Sequence, residues 1–173
     1  AVGTAAALQS QSAWSSKYFV PISCEATSPV LAGGGPSGGT IGVLENEGPG
    51  VNGAGSEGLY YRTFSPATTS FGAPVLVSDE GSLGDTDVSA SQDSTGGVYA
   101  SWEDGRGIVL DYSATGGASW PTPRAVPLAS GPSDAVVAGG AHGAAVIAYT
   151  ANTGAGTHEY VVAVPYGQLA ADR

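Results

Sequence analysis

Between Trp102 and Arg106 the chain reads Trp-Glu-Asp-Gly-Arg. A ring, two carboxylates and a guanidinium this close together are the kind of set that holds a sugar. The ring stacks on the apolar face of the sugar, and the charged groups take its hydroxyls. Arg62 is the other arginine that such a site could draw on, so Trp102, Glu103, Asp104, Arg106 and Arg62 are the candidate ligand-binding residues. The competing reading makes Trp102 a core residue and leaves Arg106 to pair with the acids beside it. A second set, Asp79-Glu80-Gly-Ser-Leu-Gly-Asp85-Thr-Asp87, places several carboxylates on a bendable loop. Calcium asks for that, which makes Asp79, Glu80, Asp85 and Asp87 candidate metal ligands and calcium the candidate cofactor. The spacing is not that of an EF-hand, and a solvated acidic surface is the simpler account. His142 and His158 are too isolated to suggest zinc. No nucleophile elbow, zinc-protease motif, phosphate loop or cysteine pair occurs. Carboxylates are plentiful, but nothing selects two of them for glycoside hydrolysis.

The elements that must position these residues are legible from composition. With 28 glycines, 11 prolines and only 12% charged residues in 173, the chain is poor material for amphipathic helices. It suits short strands joined by turns, in one domain large enough for a core. A net charge of −10, against five basic residues, argues against nucleic acid and anionic membranes as partners. No apolar run is long enough to span a bilayer. The lone cysteine, Cys24, excludes an intrachain disulfide and is read as a buried thiol. The start, Ala-Val-Gly-Thr, has no methionine and no leader-like pattern, so it is read either as a mature exported product or as a trimmed fragment. The first reading places the protein outside the cell or at its surface.

Three segments share a pattern: Ser28 to Asn46, Thr86 to Asp104, and Ser133 to Ala151. A shift of 58 lays Gly38, Gly39 and Leu44 on Gly96, Gly97 and Trp102, and a further 47 lays Trp102 on Tyr149. The stretches downstream of the first two segments also resemble each other, with Ser65 matching Ser113 and, after slippage, Phe71 matching Trp120 and Val77 matching Val126. Each unit reads as four antiparallel strands over roughly 45 to 60 residues, the period of a β-propeller blade. The expected fold is therefore all-β, with about three blades: an N-terminal segment 1–27, then 28–82, 83–130 and an incomplete 131–173. The third unit lacks a fourth strand. Ser12 to Ser23, an aromatic followed by a valine-proline run, resembles one. Such a strand could close the assembly within the chain or in a neighbour.

Ser113-Ala-Thr115-Gly-Gly117-Ala-Ser-Trp120 resembles the Asp-box turn of the BNR, or sialidase-like, propeller repeats, with Thr115 at the place of the usual aspartate. The resemblance implies a structural turn between the third and fourth strands, in which Ser113 and Thr115 bond the loop, Gly117 permits the turn and Trp120 packs between blades. It specifies the fold more than the activity. Sialidase chemistry needs three arginines on one substrate carboxylate, and this chain offers two at most on the relevant face.

Strand alternation sends the acids Glu45, Glu47, Glu57, Asp79, Glu80, Asp85, Asp87, Glu103, Asp104, Asp134 and Glu159 toward one end of the blades. Three blades make an unfinished ring, so the sequence points to assembly with another copy or another propeller chain. A protein or a glycan is the expected surface partner. The lead expectation is a noncatalytic module. The alternatives are a piece of a sialidase-like glycoside hydrolase and a calcium-stabilised extracellular component.

Overall fold

The computed structural model describes residues 30–33, 41–47, 58–79, 86–104, 107–121, 124–126, 132–140 and 144–165. The described residues contain no helix, and all regular structure is antiparallel β. The first sheet comprises β1 (Val30–Ala32), β2 (Ile41–Glu47), β3 (Gly58–Ser65), β4 (Ser70–Phe71) and β5 (Val75–Ser78), the last two both pairing with β3. The second is β6 (Thr86–Gln92), β7 (Val98–Asp104), β8 (Gly107–Ser113) and β9 (Arg124–Ala125). The third is β10 (Pro132–Gly139), β11 (Ala145–Asn152) and β12 (Thr157–Val164). Each sheet is a meander of strands adjacent in the chain. The candidate strand Ser12 to Ser23 lies outside the described residues, as does Cys24.

The sheets stack in sequence order. Leu44, Leu59, Tyr61 and Val77 of the first sheet form one core with Val98, Ala100, Trp102 and Val109 of the second. The opposite face of the second sheet, with Tyr99, Ile108, Leu110 and Tyr112, forms another core with Ala135, Val137, Ala145, Ile147 and Tyr149 of the third. The middle sheet is covered on both sides. Its strands β7 and β8 accordingly run almost continuously buried, whereas β11 alternates between buried and exposed. We call the face that a sheet turns toward its successor its leading face, and the opposite one its trailing face.

Register carries the repeat, with one correction. Tyr99 pairs with Tyr112, and Leu44 pairs with Tyr61. All four lie on leading faces. Gly42 and Gly97 are also counterparts, because a side chain on either would strike the hydroxyl end of a tyrosine, Tyr61 or Tyr112. The shift of 58 matches Leu44 to Trp102, yet these two residues meet across one core from opposite sides. The structural counterpart of Leu44 is Tyr99. A shift wrong by an odd number of residues turns every side chain to the other face of a strand. Between the second and third sheets the shift of 47 holds, placing Val98, Ala100 and Trp102 on Ala145, Ile147 and Tyr149, all trailing-face core residues.

The first strands β1, β6 and β10 lie side by side, and side chains rather than a ladder join β6 to β10. The Val137 amide donates to Ser89 Oγ at 3.1 Å and the Gly139 amide to Ser91 Oγ at 3.0 Å. The edge donors of β10 are thereby satisfied without merging the two sheets into one.

Candidate functional site

Three carboxylates converge where the second sheet meets the third. β6 and β10 carry bulges at corresponding places, between Thr86 and Ser89 and between Ser133 and Val136. Each bulge holds an aspartate in the left-handed region, Asp87 at φ 50° and Asp134 at φ 54°. Aspartate tolerates that conformation better than most residues, and a bulge re-aims its side chain. Asp134 donates its amide to Asp87 Oδ2 at 3.3 Å, and its own Oδ2 accepts from Thr150 Oγ1 at 3.0 Å and Ser133 Oγ at 3.2 Å. Thr150 lies opposite Ser133, as Glu103 lies opposite Thr86. Glu103 thus occupies in the second sheet the slot that Thr150 fills in the third. Burial, followed by the hydrogen bond with Asp87 and the negative charges of Asp87 and Asp134, pushes the Glu103 carboxyl above the ordinary glutamate value. A protonated Glu103 can donate to Asp87 as the Thr150 hydroxyl donates to Asp134.

The remaining candidates do not join this cluster into a sugar site. Trp102 is fully buried in the core between the first two sheets and shows no ring face to solvent. Asp104 ends β7, half-buried. Arg62 is only 3% exposed and sits on the trailing face of the first sheet, where its Nε donates to Glu45 Oε1 at 2.6 Å. Glu45, expected at the acidic end of the blades, is instead buried in β2. Asp79 is exposed at the end of β5. Arg106, Glu80 and Asp85 lie outside the described residues. Among the described residues, no group of three His, Cys, Asp or Glu is arranged to hold a metal ion. No described helix is long and apolar enough to cross a membrane.

The turn after β8 is held by its own hydroxyl groups. The Gly117 amide donates to Ser113 Oγ, and the Ser119 amide to Thr115 Oγ1, both at 2.9 Å. Thr115 therefore supplies an acceptor for a loop amide. Gly116 and Gly117 take φ 68° and 92°, and a side chain on Gly117 would enter the ring of Tyr61. Trp120 meets the same ring edge-on, with centroids 5.5 Å apart. The turn of the second sheet is thus clamped onto the first. In the first sheet, the Thr68 amide reaches Ser65 Oγ at 3.4 Å, Thr69 takes φ 52° and Phe71 packs on Phe64.

One further anchor carries no obvious sequence signal. Asp93 Oδ1 accepts from the Thr95 amide, the Thr95 hydroxyl and the Gly97 amide at 2.7 to 2.9 Å. Burial alone would raise the Asp93 carboxyl, but these bonds and one from Tyr99 outweigh it, and the group is held below the ordinary aspartate value. The Tyr99 hydroxyl also lies 2.9 Å from the Gly140 carbonyl oxygen, which ties the middle sheet to the third.

No family model matches the chain, and no curated protein matches it.

Proposed function

We propose that this chain is a noncatalytic module of β-propeller type that works outside the cell, by assembly and by binding a protein or glycan at its surface. The observation that carries the reading is the head-to-tail stacking of antiparallel meanders. A leading face packs on the trailing face of the next sheet at both junctions, with the first strands adjacent. Sheets arranged as blades around an axis would stack this way, each sheet being one blade. The Ser113–Trp120 turn adds support, since it stands after the third strand of its sheet and packs between sheets, as the Asp-box resemblance implies.

The sialidase-like alternative is weakened by Arg62. A carboxylate grip needs exposed guanidinium groups, and this one is buried and engaged by Glu45. The carboxylates at Asp87, Glu103 and Asp134 also favour a neutral or cationic partner over an anionic sugar. Two measurements on the whole chain test the reading together: hydrolysis of a fluorogenic sialoside, and binding to a panel of immobilised neutral and acidic glycans. Binding without hydrolysis is expected. Turnover of the sialoside by the isolated chain would overturn the module reading in favour of the enzyme.

A further inference from the structure

We draw no further inference here: the strongest candidate, the exposed apolar leading face of the third sheet around Val136, Val146 and Val161, carries nothing because no feature of the described residues shows what would cover it.

Discussion

The ring of Tyr61 fills the space where a side chain on Gly117 would stand. The two residues belong to different sheets, so the contact sets how closely the turn of one can approach the other. Gly117 also has φ 92°, a conformation that other residues adopt at a cost. Gly117→Ala should therefore lower stability by about 3 kcal/mol, combining overpacking with left-handed strain. Urea denaturation measures this. In a Tyr61→Ala background the steric part should vanish and only the backbone part remain. An unchanged penalty there would mean that the ring does not limit the approach.

Ser89 and Ser91 should matter more than exposed serines on a strand do. Ser89→Ala leaves the buried Val137 amide without its acceptor and should cost about 1–3 kcal/mol, with Ser91→Ala costing less because its site is only partly buried. Hydrogen exchange localises the effect, since the Val137 and Gly139 amides should exchange faster while the β7–β8 ladder does not.

Glu103 gives the fold a pH dependence of unusual sign for a carboxylate. The unfolded chain releases this proton near the ordinary value of 4.5, and the folded chain holds it to higher pH. Stability from this group is thus fully present below the ordinary value and falls as pH rises through the raised one. Asp93 acts oppositely, contributing stability above the ordinary aspartate value that is lost as pH falls through the depressed one. Glu103→Gln should remove the falling limb, so that the variant gains on the parent as pH rises above the ordinary glutamate value. Parallel thermal melts across that range, with Asp93→Asn as the opposite control, would show it. A stability difference that did not change with pH would contradict the seam as described.

The all-β character of the fold is legible in the sequence because a composition rich in glycine and proline and poor in charge favours short strands and turns. Ser113, Gly117 and Trp120 announce their turn. The first repeat offset misleads for a physical reason. A strand covered on both faces, such as β7, shows no alternation, so nothing in Val-Tyr-Ala-Ser-Trp reveals which residues point which way. Glycine pairs then align Leu44 with Trp102, and only the tyrosines packed over Gly42 and Gly97 reveal the true match. The serine ladder escapes a sequence reading because Ser89 and Ser91 alternate like solvent-facing residues, and their acceptors are used by amides 48 residues away. Arg62 and Glu45 suggest an exposed face because charge usually marks surface. Mutual pairing lets both be buried, and sequence alone does not display that pairing.

Stacking in chain order also shapes how the protein is made. A sheet's leading face can be covered only after its successor has left the ribosome, and the bonds that fasten β10 to β6 join residues 47 and 48 apart. At roughly 5–20 residues per second, each newly made sheet waits about 2–10 seconds with its apolar side bare. Leu44 and Tyr61 wait for Trp102, then Tyr99 and Leu110 wait for Ile147. Synthesis is therefore a series of brief exposures, each ended by the next sheet to emerge. Val136, Val146 and Val161 stand on the leading face of the third sheet, and no sheet among the described residues covers them.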